Sequence, residues 1–223
     1  IMKTKFISFF GVWISLVIVS QTLNAQLLNT VYDDNLLAER EIGISSYDVP
    51  EASDPQFSKG IVYIDPEAPD GGEGSIENPL NKWPETLKSN TAYLQKRGTR
   101  SSSISHYIKG DFILIGAYGK GERPIVTNTH YFPGPQLGGE GVVIRDIHVP
   151  NGRINIGMHP FVDAGNGWIF NCEVQNLGVF QHSTKVIGNL VHGAEQDGVW
   201  ASGSNKGRYI YNNEFGYNII YDV

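Results

Sequence analysis

The chain has 223 residues, 40% of them hydrophobic, with 17 Lys and Arg against 23 Asp and Glu and a formal charge of −6. That is enough apolar chain to bury a core, which excludes a disordered protein, and 26 Gly without a collagen period exclude a collagen. The acidic balance excludes a nucleic-acid binder, whose affinity rests on Lys and Arg neutralising phosphates, and one Cys excludes a disulfide-stapled mini-domain.

Lys3 and Lys5 precede an apolar run at 6–19 and a polar stretch ending at Leu23-Asn24-Ala25, the layout of a secretory signal peptide over 1–25. The run is shorter than the roughly 18 residues of a membrane span. Its removal predicts an exported chain with no stable span, extracellular, periplasmic or at the cell surface. It also takes two of the 17 basic residues, leaving 15 against 23 acidic ones and a charge of −8.

Residues 26–59 are polar and acidic with weak periodicity, the pattern of a leader or linker with little fixed structure. Gly60 to Asp65 is then a β-rich run, and 66–79 a loop dense in turn formers. The carboxylates Asp65, Glu67, Asp70, Glu73 and Glu77 lack the EF-hand spacing and read as solvated turn groups. Trp83, Leu87 and Leu94 recur at helical spacing with Gly98 as a C-cap, which predicts a short helix over 83–96. A β-run at 111–115 leads through a glycine-rich tight turn to a strand at 124–126. The GxxxxGK[ST] spacing is missing there, so the turn is no phosphate loop. Cys172, between Phe170 and Val174, reads as a buried structural thiol.

Four later segments share one template: 144–149 (IRDIHV), 169–174 (IFNCEV), 186–191 (VIGNLV) and 210–215 (IYNNEF). Each opens and closes on an apolar residue, and the middle pairs hold Asn171, Asn189, Asn212 and Asn213, amides suited to a left-handed corner and to a stacked ladder. Starts 25, 17 and 24 residues apart predict coils that stack, since one such unit cannot bury its apolar side alone. Helical signals are absent after residue 100. An ending in mid-strand at Val223 predicts a domain truncated at its C-terminus.

Over 60–223 the opening VYIDP with its glycine-rich loop, the GAYGKGERPIV turn and the coils resemble the right-handed parallel β-helix superfamily, the pectate-lyase-like proteins. The resemblance implies an all-β solenoid, incomplete here, whose N-terminal end is capped by the helix at 83–96. It also implies a secreted carbohydrate-active protein. The leading expectation is a polysaccharide lyase acting on a uronic-acid-containing glycan. A glycoside hydrolase on the same fold, or a noncatalytic glycan-binding or cell-surface β-helix, is the alternative.

The third coil is longer than its neighbours and gathers His192, Glu195 and Asp197, and insertions of this kind map to loops, often on the binding side. In a lyase His192 is the expected base, and Glu195 and Asp197 could hold a hard cation such as Ca²⁺. Lys185, Lys206 or Arg208 would then supply positive charge to the substrate carboxylate, with Trp200 and Tyr211 as outward aromatic platforms for sugar. In a hydrolase Glu195 and Asp197 form the carboxylate pair. The template's fifth position adds His148, Glu173, Leu190 and Glu214, the two Glu spaced about 10 Å apart if the stacking holds. A polysaccharide is the expected partner of a monomeric protein.

Overall fold

The computed structural model describes residues 34–101, 108–127, 136–157, 164–194, 197–202 and 212–222. A first compact unit ends at Ser46 and a second begins at Tyr47. The first holds helix α1 (Asp34–Ser45), although its stretch reads as unstructured. Glu39, Arg40 and Glu41 are good helix formers, and Ser45 Oγ donates to Ile42 O at 2.8 Å near the C-terminal end. Among the described residues no helix is long and apolar enough to cross a membrane.

Apart from a 3-10 turn at Pro55–Phe57, the regular structure of the second unit's described residues is all β, and every strand pair among them is parallel. In chain order its strands are β1 (Ile61–Ile64), β2 (Thr91–Lys96), β3 (Arg100–Ser101), β4 (Ile108–Lys109), β5 (Ile113–Tyr118), β6 (Ile125–Val126), β7 (Gln136–Gly138) and β8 (Val143–Arg145). These are followed by β9 (His148–Ile156), β10 (Trp168–Phe170), β11 (Glu173–Val179), β12 (Lys185–Ile187), β13 (Leu190–His192), β14 (Val199–Ala201), β15 (Glu214–Gly216) and β16 (Ile219–Tyr221). The first sheet runs β1-β2-β5-β8-β10-β12-β15 and the second β16-β13-β11-β9-β6-β3, with β14 on β11 and β7 on β4 and β9. From β8 onward the chain passes from one sheet to the other through two-residue corners, at 146–147, 171–172, 188–189 and 217–218.

The template places the first three coils in register. Ile144, Ile169 and Val186 face one another across the first sheet, and Val149, Val174 and Val191 across the second. The first column extends backward through Ile115 and Tyr93 to Val62. The fourth coil is shifted by five residues from the sequence reading: Val186 pairs with Phe215 and Val191 with Ile220, so the coil is 215–220 and not 210–215. Asn212 and Asn213 therefore precede the strand, and Asn218 takes the corner position. Burial of the column residues at 0–1% in the middle coils supplies the core, about 1.5–3 kcal/mol for each fully buried aliphatic.

Corner chemistry explains the Asn, Asp and Gly of the template. Asp146, Asn171, Gly188 and Tyr217 all have φ between 50° and 69°, the left-handed region that favours small polar residues and glycine. The next position turns inward. There Asn189 Oδ1 accepts from Cys172 N at 2.9 Å and its Nδ2 donates to Ile169 O at 3.0 Å and to Asn218 Oδ1 at 2.9 Å, a ladder linking three coils. A second left-handed column precedes the first-sheet strands at Asn90, Phe112, Gly141, Asn166, Ser183 and Asn212. Gly141 cannot carry a side chain, because its Cβ would stand 2.6 Å from the Phe112 ring.

Two expectations are overturned. Residues 83–96 form no helix: Trp83 and Leu87 are buried loop anchors, and Thr91–Lys96 is a strand paired on both sides, with β1 and with β5. Trp83 Nε1 donates to Gln95 Oε1 and Ser101 Oγ at 2.9 and 3.1 Å, which fixes the loop without a helical ladder. Nor are 47–57 unstructured. They lie along the outer side of the first sheet, against the order of its strands. The Tyr47 hydroxyl donates to Glu214 and its ring meets Trp168 edge-on at 6.3 Å. Pro50 O accepts from Arg145 at 3.0 Å, Glu51 pairs with Arg145 at 2.8 Å, and Gln56 O accepts from Asn90 at 3.2 Å.

Cys172 is fully buried, and its thiol approaches the carbonyl oxygens of Phe170 and Ile144 at 3.4 and 3.7 Å. Burial pushes its pKa up to about 12. Only the thiolate is nucleophilic, so a thiol reagent is expected to leave the native protein unlabelled and to modify it once unfolded. Labelling at the same rate in both states would contradict this burial.

Candidate functional site

The outer side of the second sheet carries a polar stripe to which successive coils contribute. Arg100, His148, Glu173 and Leu190 occupy equivalent registers on β3, β9, β11 and β13, and His192 and Tyr221 face each other two residues further on. Glu173 is the hub. Its Oε1 lies 3.2 Å from His192 Nε2 and 3.6 Å from His148 Nε2, and its Oε2 lies 3.5 Å from the Arg123 guanidinium.

Arg123 comes from the turn between β5 and β6 and is itself fixed by Asn171, with Nε donating to its backbone O at 2.8 Å and Nη2 to Oδ1 at 2.6 Å. Asn171 in turn donates to Asp146, which also meets Arg145 at 2.8 Å and Arg97 at 3.4 Å. The His192 ring stacks on Tyr221 at 5.1 Å with an interplanar angle of 6°. Burial raises the Tyr221 phenol above its usual pKa, with the Glu173 charge adding to this, so it keeps its proton at neutral pH.

Burial likewise lowers His148, reinforced by His192, Arg123 and Arg100 and opposed by Glu173. His148 is thus neutral at pH 7, and its approach to Glu173 is no ion pair there. The unfolded chain binds this proton first, so the stability held above about pH 6.5 is lost progressively as pH falls below it. Urea midpoints are expected to drop on acidification through this window, and by less in His148→Gln. An equal drop in the variant would remove His148 as a cause.

The residues expected from sequence separate into two groups. His192 joins the stripe. Asp197 and Trp200 instead line a cavity of about 170 Å³ with Arg153, Asn155 and Asn176, and Asn176 Nδ2 donates to Asp197 O at 2.6 Å. Trp200 points outward as expected, 47% exposed. The loop between the groups is longer than the sequence suggests: Val199 pairs with Leu177 and not Val179, so eight residues from Val191 to Val199 match three from Val174 to Leu177.

Lys185 belongs to neither group. It lies on the first sheet, with Nζ 4.6 Å above the Trp168 ring. Glu214 is no partner of Glu173, because the shifted fourth coil puts it on the first sheet opposite Lys185, where it accepts the Tyr47 hydroxyl. Glu195, Lys206, Arg208 and Tyr211 lie outside the described residues. Among the described residues no group of three His, Cys, Asp or Glu side chains could hold a metal ion.

Sequence reasoning missed Arg123, Arg100 and Tyr221. His148 and Glu173 share one column of the template, but Arg123 reaches it from a glycine-rich turn that lies outside the repeat. No family model, curated protein or solved structure matches this chain.

Proposed function

We propose that this chain forms a secreted right-handed parallel β-helix that breaks down polysaccharide, acting as a lyase on a glycan containing uronic acids. The right hand follows from the general rule for parallel crossovers. The observation that carries the reading is the His192 imidazole held 3.2 Å from a carboxylate that Arg123 also engages, in a cluster with Arg100 and Tyr221.

In β-elimination a base removes the proton alpha to the substrate carboxylate, and that carboxylate needs a cation beside it. His192, oriented by Glu173, is the base. The imidazole takes the C5 proton of the substrate, and the electron pair of that C–H bond becomes the C4=C5 double bond as the C4–O bond breaks. The leaving oxygen takes a proton from the Tyr221 hydroxyl, which burial keeps protonated. Arg100, exposed at the stripe, and Arg123 supply positive charge.

Hydrolysis has less support. It needs two carboxylates flanking one bond; among the described residues Glu173 is surrounded by His148, His192 and Arg123, Glu214 is on the other sheet, and Asp197 lines the separate cavity, while Glu195 lies outside the described residues. Incubation with pectate, alginate and neutral glycans tests the reading. New ultraviolet absorbance from unsaturated ends is the expected result on the acidic polymers. New reducing ends without that absorbance indicate a hydrolase, and glycan binding without cleavage indicates a noncatalytic binder.

A further inference from the structure

Gly178 sits in the middle of three registered strands, opposite Asn155 on β9 and Trp200 on β14. No side chain fits at Gly178, since a Cβ there would stand 2.1 Å from Asn155 Oδ1 and 2.7 Å from the Phe180 ring, and the bare backbone forms one wall of a notch. The notch belongs to the cavity of about 170 Å³ that Arg153, Asn176 and Asp197 share with Trp200. Phe180 meets the Trp200 ring edge-on at 5.4 Å and so holds the indole in place at the rim.

We propose that this notch binds a single uronate ring, its apolar side on Trp200 and its carboxylate on Arg153. The substrate class rests on the lyase reading, while the notch itself rests on its own geometry. The volume equals about six waters and falls below the 300–1,000 Å³ of pockets for larger ligands, so it suits one ring and not two. A half-exposed indole beside a guanidinium offers both things a uronate presents, an apolar ring side and a planar carboxylate that takes paired N–H donors. The Asn176 amide and the exposed Asp197 carboxylate suit ring hydroxyls.

Position adds a second argument. Gly178 and Glu173 lie on the same strand, five residues and at most about 16 Å apart. One acidic polymer laid along β11 can therefore occupy the notch and the Glu173 stripe together. The notch is thus a binding position remote from the bond being cut, and Asp197 serves in binding there and not as a catalytic residue.

Titration of the protein with galacturonate and mannuronate trisaccharides, and with their methyl esters, tests the assignment by calorimetry or ligand-detected NMR. Trp200→Ala is expected to weaken binding of acid and ester alike by about tenfold or more. Arg153→Gln is expected to weaken the free acid by about tenfold and leave the ester nearly unchanged, because only the acid makes the charged contact. Absence of binding to both acids, or affinities indifferent to both substitutions, overturns the notch. Binding that depends on Trp200 and Arg153 in a protein without cleavage defeats the lyase reading alone, whereas cleavage with binding indifferent to them defeats the notch alone.

Discussion

His192→Ala is expected to slow cleavage of a uronate polymer by about a hundred- to ten-thousand-fold, the usual contribution of a positioned general base. The size follows from how fully the ring is fixed. Its Nε2 lies 3.2 Å from the Glu173 carboxylate and Tyr221 stacks flat against the ring, so both the tilt and the plane of the imidazole are held. Glu173→Gln keeps the shape but loses the charge that orients the imidazole, so it should cost less than removing the imidazole and more than nothing. His192 is only part-buried, so its removal should leave the unfolding midpoint close to that of the parent. A variant that folds normally and cleaves at the parental rate would put the base elsewhere.

Asn189→Ala is expected to cost about 3 to 5 kcal/mol of stability. Asn189 is fully buried, and alanine would leave the Cys172 N–H without its acceptor and Ile169 O without its side-chain donor. Each buried polar group left unpaired costs about 1–3 kcal/mol. Asn218 would lose a donor as well, since its Oδ1 also receives the Asn189 side chain. A domain of this size should then melt roughly 10 °C lower. Asn218→Ala, at a half-buried position, should cost less. A loss under about 1 kcal/mol for Asn189→Ala would show the ladder to be dispensable.

The parallel pairing of the first three template segments was legible because their apolar ends recur at fixed offsets: Ile144, Ile169 and Val186 announce it. The fourth coil was not, because Ile210 to Phe215 satisfies the same apolar pattern as Phe215 to Ile220, and only pairing geometry distinguishes them. Trp83 and Leu87 mimicked a helix because two buried loop anchors four residues apart look like one helical turn, while the pairing of β2 on both sides outweighs local preference. The candidate site was half visible. His192 stood out as a titratable group in a long loop, and Glu173 as a lone carboxylate in a column. Their meeting requires the parallel pairing of β11 with β13, and the approach of Arg123 spans 48 residues to Asn171.

The strap at 47–57 bears on the order in which the molecule assembles. Its contacts reach 34 residues ahead from Gln56 to Asn90, 95 from Pro50 to Arg145 and 167 from Tyr47 to Glu214. Stacked coils by themselves exchange only nearest-neighbour energies and can form in local steps. As the chain leaves the ribosome, Gln56 can find its partner early, Pro50 must wait for β8, and Tyr47 for β15. The strap is therefore fastened from its C-terminal end toward its N-terminal end as each coil is added. Closing it makes a chain of neighbours answer to contacts far apart in sequence, and the earliest-made part of the unit becomes the last to settle.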